Sequence, residues 1–342
     1  MHRYSDIAAG AVDILAVDGR SLAGNLLGEP TGRRVAVWRP RGHDGRGLPL
    51  LVVLAGYTGS GLGMAGWRAF GESLPERLDR LTTDAQLPPV VVAMPDAFTR
   101  LGGNQYVNSA AMGRWEDYLI LDMLPVVERT YGCGGPGRRG VMGKSSGGFG
   151  AIQHALRRAD VWSAAACHSG DMGFDWVYLP EMPGALRVLA RHGGSIETFL
   201  AAMATHEAPD GDDISCLMTL GMCATYDPDA ASPYGIRLPV ETETCELIAE
   251  RWANWLAWDP VRIVEAGPGP WVDNLKALKA LYIDCGTRDQ FNILYGCRRF
   301  VRALNGQGVA HRYEEFPGTH SNVGFRMDIS LPAMAAALSG ED

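Results

Sequence analysis

The sequence predicts an α/β protein: a mostly parallel central sheet flanked by helices and interrupted by a largely helical cap insertion. Three observations carry this expectation. Leu50-Leu51-Val52-Val53-Leu54 and Val90-Val91-Val92-Ala93-Met94 are unbroken apolar runs, the composition of strands covered on both faces. Such runs alternate with stretches at helical spacing, the order that builds βαβ units. From about Met172 to Gly269 the strand pattern stops while helix signals continue, too strongly to be a structureless loop. The chain therefore divides into a first core part (1–171), a helical cap (172–269) and a second core part (270–342).

In order, two strands are expected between Ser21 and Pro40, joined by a turn at Gly28–Gly32, the second being Val35-Ala36-Val37-Trp38. The Leu50–Leu54 strand ends in the flexible loop Ala55-Gly56-Tyr57-Thr58-Gly59-Ser60-Gly61. A helix over Leu74–Leu81 precedes the strand Pro88–Met94, and a glycine-bearing loop over Leu101–Trp115 precedes a helix over Glu116–Thr130. A strand ending at Val141-Met142 and a helix over Ser146–Arg158 follow, then a strand over Trp162–Cys167. Within the insertion, helices are expected at Ala185–Arg191, Ile196–Thr205 and Thr244–Trp258. Beyond it come a strand over Leu278–Asp284, a helix over Phe291–Leu304, a strand over Ala310–Phe316 and a helix over Met327–Leu338.

Bulk composition narrows the function. A length of 342 residues allows two domains, or one with an insertion, and 46% hydrophobic with 20% charged residues suits a globular chain with a sizeable core. The formal net charge is −8 and the basic residues, nearly all Arg, are scattered, which argues against nucleic acid or an anionic membrane as partner. No apolar stretch reaches membrane-spanning length, and Met1–Asp6 lacks the apolar core of a signal peptide, so a cytoplasmic location is expected. Seven cysteines without a C-x-x-C pair read as reduced thiols, not as a disulfide frame or zinc site. Neither a metal nor an organic cofactor is called for.

The chemistry centres on Gly143-Lys144-Ser145-Ser146-Gly147, a G-x-S-x-G between a strand end and a helix start. In that setting the pentapeptide is a nucleophile elbow, with the serine on a strained turn and glycines where strand and helix approach closely. A phosphate-binding loop is excluded, because its first glycine would fall on Arg138. A serine nucleophile needs a base and the base an orienting acid, and in this architecture both follow the serine, acid first. His320, on the loop after the last strand, is the base. His154 sits inside the helix after the elbow and reads as structural. Asp289 is the preferred acid over Asp284, which more naturally ties down its own turn, and over Asp171 after the preceding strand. The oxyanion formed on attack needs two backbone N–H groups, assigned to Tyr57 and Ser146.

These stretches resemble the esterase D-like branch of the α/β-hydrolases, which includes S-formylglutathione hydrolases, enterochelin esterases and feruloyl esterases. Further matches are Gly24–Pro30, Asn108-Ser109, Gly113–Tyr118, Ala166–Asp171, Asp284–Asp289 and Gly318–Ser321. The resemblance implies an α/β-hydrolase fold and a Ser145–Asp289–His320 triad. The chain departs from many relatives at Ala55-Gly56, where they carry His-Gly, at Lys144, where His is commoner, and in its longer insertion.

Lys144, Asn104, Tyr106, Trp176 and Tyr178 are the candidate substrate-binding residues, with Gln105, Leu179 and Met182 nearby. Trp252, Trp255 and Trp258, spaced by three, form an apolar helix face that packs against the core or a second copy of the chain, through the cap, or walls a pocket. The expected activity is hydrolysis of a small-molecule ester or thioester through an acyl-enzyme on Ser145. Acyl transfer or amide cleavage by the same triad, or a non-catalytic hydrolase-like binding protein, are the alternatives.

Overall fold

The structure, a computed structural model, describes residues 9–206 and 208–340. In chain order its strands are β1 (Ala11–Asp18), β2 (Gly32–Arg39), β3 (Leu50–Leu54), β4 (Val91–Pro95), β5 (Asn108–Ser109), β6 (Gly113–Arg114), β7 (Arg139–Lys144), β8 (Ala164–His168), β9 (Ala280–Gly286) and β10 (Arg312–Phe316). Eight of them form one sheet in the order β1-β2-β4-β3-β7-β8-β9-β10, and β5 and β6 make a separate two-stranded ladder. β2 runs antiparallel to β1 and β4, and every pairing from β4 to β10 is parallel. The apolar runs in β3 and β4 and the alanine-rich β8 are buried at every residue. That is the condition their unbroken pattern implied, since helices cover both faces of a parallel sheet.

The first strand lies earlier than the sequence led us to expect. Ser21–Leu27 is not a strand: Arg20–Leu22 forms a 3-10 turn. The Asn25 side chain then closes a loop, donating to the carbonyls of Leu22 (2.8 Å) and Glu29 (3.0 Å) and accepting from Glu29 N (2.8 Å). Leu22 and Leu27 are apolar because they plug this loop into the core. β1 escaped notice because it is an edge strand that leaves Val12 and Ile14 exposed, so its two faces do not contrast.

Between β8 and β9 the chain is helical: Phe174–Val177, Met182–Ala190, Ile196–Met203, Gly211–Tyr226, Ala249–Leu256, Pro260–Glu265 and Pro270–Lys276. Gly211–Tyr226, the longest of these, has no counterpart among the sequence expectations. Its residues from Thr219 to Tyr226 are all buried, so the helix is enclosed on most sides and lacks the one-faced pattern that marks a surface helix. Asp210 and Asp213 cap its start reciprocally. The tryptophan face is spent on this chain's own core: Trp252 and Trp255 are buried, and the Trp255 ring lies 5.6 Å from Tyr178 and 5.2 Å from Tyr226. One continuous cluster of buried side chains joins the insertion to one sheet face, and a second cluster fills the other face beneath the helix Met327–Ser339.

A buried polar network ties that last helix to the sheet. Asp284 in β9 accepts from Arg326 Nε at 2.8 Å and from Tyr282 Oη at 3.0 Å, and pairs with His168 Nδ1 at 2.9 Å. Burial pushes the Asp284 carboxyl up, but His168 and Arg326 outweigh it and hold the pKa below the usual range. Arg326→Leu removes the guanidinium that donates to the buried Asp284 carboxylate and is expected to destabilise the fold by about 3–5 kcal/mol. Because the folded pKa is depressed, this stabilisation is present above about pH 4 and is lost as pH falls through the folded value. Thermal melts should therefore show a large Tm gap between wild type and variant at pH 7 that narrows below pH 4.

Candidate active site

β7 delivers Ser145 at its carboxyl end. The residue has φ 57° and ψ −125°, a conformation side chains rarely adopt, and the helix Ser146–Arg157 starts immediately after it. The flanking glycines are required by contact: a Cβ on Gly147 would lie 2.2 Å from the Leu54 carbonyl oxygen, and one on Gly143 2.5 Å from the Gly147 carbonyl carbon. The turn thus holds the Ser145 hydroxyl out at the sheet edge, pinned by Ser145 N donating to His168 O at 2.9 Å.

His320, on the loop after β10, places Nε2 2.9 Å from Ser145 Oγ and Nδ1 2.7 Å from Asp289 Oδ2. The Asp289 carboxylate also accepts from Phe291 N at 2.9 Å, and the His320 backbone N–H donates to Gln290 Oε1 at 3.0 Å. The Phe291 ring meets the imidazole edge-on at 4.9 Å and closes the remaining side. With Asp289 accepting at Nδ1, the imidazole presents a lone pair at Nε2 to the serine hydroxyl.

A second Ser-His-Asp contact set exists: His168 Nε2 is 2.9 Å from Ser330 Oγ while its Nδ1 meets Asp284. Ser330 and Asp284 are fully buried and His168 is 1% exposed, and Ser330 lies inside the helix Met327–Ser339. No ester can reach that hydroxyl. Access, not hydrogen-bond geometry alone, separates the two sets.

Tyr57 and Ser146 flank the elbow from either side. Neither backbone N–H has an acceptor among the described residues. The Tyr57 side chain is anchored away from the site by donating to Leu101 O. Asn104 and Tyr106 lie behind this loop and do not line the cleft. Asn104 Oδ1 accepts from Tyr106 N at 2.6 Å, and Tyr106 Oη donates to Ala55 O at 2.8 Å. His154 sits in turn behind Tyr106, within 3.0 Å of its carbonyl, and takes the Trp162 indole N–H on its other nitrogen. Burial lowers its pKa to about 4, so it is a neutral structural histidine that braces the Tyr106 backbone.

The cleft beside Ser145 is narrow, with a cavity volume of about 20 Å³, and is lined by Ser146, Asp171, Val177, Tyr178, Met218, Phe291 and Ile293. Met218 comes from the helix Gly211–Tyr226, so the insertion supplies part of the wall. Tyr178 donates to Asp171 Oδ2 at 2.9 Å and meets Tyr226 Oη at 3.0 Å. Trp176 instead faces a neighbouring open cleft with Asn292, Tyr295, Arg298 and Arg299. Lys144 is half-buried, and burial lowers its ammonium pKa against the opposing pull of Asp289 and Asp171. Asp284 and Asp171, the other acid candidates, make no hydrogen bond to His320. No cluster of three or more metal-ligating side chains occurs among the described residues.

A family description, "Putative esterase", matches residues 30–337. The chain belongs to this esterase family. An esterase of Mycobacterium tuberculosis strain H37Rv, Rv1288, is 25% identical over 246 residues, which cover 68% of this chain and 42% of the relative. The matched region thus spans less than half of that relative's length. Among solved structures, a ferulic acid esterase from Anaeromyces mucronatus superposes with TM-score 0.57 at 12% identity, covering 100% of this chain and 95% of that one. An S-formylglutathione hydrolase from Agrobacterium tumefaciens gives TM-score 0.56 at 16% identity, covering 96% of both chains. These likenesses establish the α/β-hydrolase fold for this member of the esterase family.

Proposed function

We propose that the protein is a serine carboxylic-ester hydrolase in which Ser145, His320 and Asp289 are the catalytic residues. The observation that carries this reading is the continuous Asp289–His320–Ser145 relay, with contacts of 2.7 and 2.9 Å, opening onto a solvent-accessible cleft. His320 Nε2 takes the hydroxyl proton as Ser145 Oγ attacks the ester or thioester carbonyl. Asp289 stabilises the imidazolium and fixes its orientation, and the N–H groups of Tyr57 and Ser146 receive the oxyanion. His320 then protonates the departing alcohol or thiol, and a water activated by the same nitrogen releases the acid.

Tyr178 walls the acyl side of the site. Trp176 stands at the rim, where the leaving portion of a small-molecule ester emerges, and Lys144 adds positive potential beneath the elbow. Asn104 and Tyr106 act from behind, by holding Ala55 and hence the Tyr57 amide. In this reading 172–269 is a cap completing the cleft between core parts 1–171 and 270–342. Seven free thiols support a reducing, cytoplasmic setting, and no described helix is long and apolar enough to cross a membrane. A fluorophosphonate probe should label the protein once, with the adduct mapped by mass spectrometry to the peptide carrying Ser145. Absence of labelling, or an adduct elsewhere, removes the acyl-enzyme mechanism.

A further inference from the structure

The loops that carry the acid and the base are zipped together beyond the ends of their strands. β9 pairs with β10 as far as Gly286 and Phe316. Past that point Thr287 N donates to Phe316 O at 2.8 Å and Arg288 N donates to Gly318 O at 2.9 Å. The approach is close at its base, where a Cβ on Gly286 would lie 2.5 Å from the Gly318 carbonyl oxygen. The backbone ladder then stops, because the Asp289 N–H turns back to Gly286 O at 3.2 Å. A side chain makes the next rung: Gln290 Oε1 accepts from the backbone N–H of His320 at 3.0 Å.

Three consecutive residues of the acid loop therefore hold His320, each by a different contact. Asp289 meets Nδ1 and the Phe291 ring closes one side of the imidazole, so both act on the ring. Gln290 fixes the backbone from which that ring hangs. From Thr319 to Asn322 the main chain makes no other hydrogen bond to a distant segment among the described residues, and Ser321 N is satisfied inside the loop by Thr319 Oγ1 at 3.2 Å. Gln290 is itself exposed, and its amide N–H groups have no partner among the described residues, so neither core packing nor a wider network accounts for the residue. An exposed amide contributes little to stability, whereas a displaced base is costly to turnover. Resting on the esterase reading above, we propose that Gln290 is a positioning residue whose side-chain carbonyl sets the His320 backbone and so keeps Nε2 within reach of Ser145 Oγ. It makes no hydrogen bond to Ser145 and acts through His320. Both length and chemistry are specified: asparagine is one methylene short, and methionine has the length but offers only a weakly accepting sulfur.

The test compares Gln290→Met, Gln290→Asn and Gln290→Glu with wild type. It reads kcat and KM for p-nitrophenyl acetate, the rate of fluorophosphonate labelling, and Tm on the same preparations. A misplacement of about 1 Å at a reacting group can cost about 100-fold, so partial loosening of His320 should lower kcat and the labelling rate together by about 10-fold in Gln290→Met and Gln290→Asn. KM should stay within about 2-fold, because the lost interaction serves the transition state, and Tm should hardly move. Gln290→Glu keeps an acceptor oxygen at the same reach and should hold both rates within about 3-fold of wild type. A residue that merely stabilised its turn would move Tm and leave the labelling rate of the folded fraction alone, and that result overturns the proposal. So do wild-type rates in Gln290→Met or Gln290→Asn, or a Gln290→Glu variant as slow as Gln290→Met. Each of these defeats this inference alone, since wild-type turnover stands, whereas a wild type that neither cleaves an ester nor takes the fluorophosphonate defeats the esterase reading.

Discussion

Ser145→Ala is expected to lower kcat for a p-nitrophenyl acyl ester by at least about 10⁴-fold while Ser330→Ala leaves it within about 3-fold of wild type. The two serines have the same 2.9 Å contact with a histidine that in turn meets an aspartate, so a contact list alone would not separate them. Three physical facts do. Ser145 is half-buried at the cleft while Ser330 is sealed. Ser145 stands on a left-handed turn that holds its hydroxyl out, whereas Ser330 is held in mid-helix. The backbone N–H groups of Tyr57 and Ser146 have no acceptor among the described residues. Ser330→Ala should act on stability instead, since it leaves His168 Nε2 buried without a partner, at about 1–3 kcal/mol. Initial rates at saturating substrate, paired with thermal melts, read both outcomes. Wild-type-like turnover in Ser145→Ala would dismiss the nucleophile assignment.

Asp289→Asn and Asp284→Asn form the second informative pair. An amide at 289 cannot stabilise the imidazolium and favours the tautomer with the proton on Nε2, where it blocks acceptance from Ser145; a loss of about 10⁴-fold in kcat is expected, with little change in Tm. An amide at 284 lies in the Arg326 network and should lower Tm while sparing kcat in the folded fraction, because Asp284 makes no contact with His320. If Asp284→Asn were the variant that lost catalysis and Asp289→Asn the silent one, the acid would have been placed on the wrong side of the β9 turn. Measuring kcat and Tm on the same preparations keeps a folding defect from passing as a catalytic one.

The sequence carried the parallel core because β3 and β4 are buried on both faces and so are written as uninterrupted apolar runs. It carried the elbow because the close approach of Leu54 to Gly147 excludes any side chain, which imposes glycine at a set spacing from the serine. It was weaker where burial is uniform or reversed. β1 leaves apolar side chains on its outer face, and the helix Gly211–Tyr226 is enclosed on most sides, so neither shows the contrast between faces from which an element is read. Asn104 Oδ1 accepts from Tyr106 N and Tyr106 Oη donates to Ala55 O, pairings that no spacing rule reveals.

By itself the sequence determined the sheet's apolar strands and the serine on its glycine-flanked turn, because each is enforced by close backbone approach or by burial that leaves a periodic trace. Only the tertiary structure decided which of two serine–histidine–aspartate sets faces solvent and which insertion residues wall the cleft. Those features depend on atoms contributed by segments scores of residues apart, whose mutual exposure is a property of packing and leaves no pattern in the linear text.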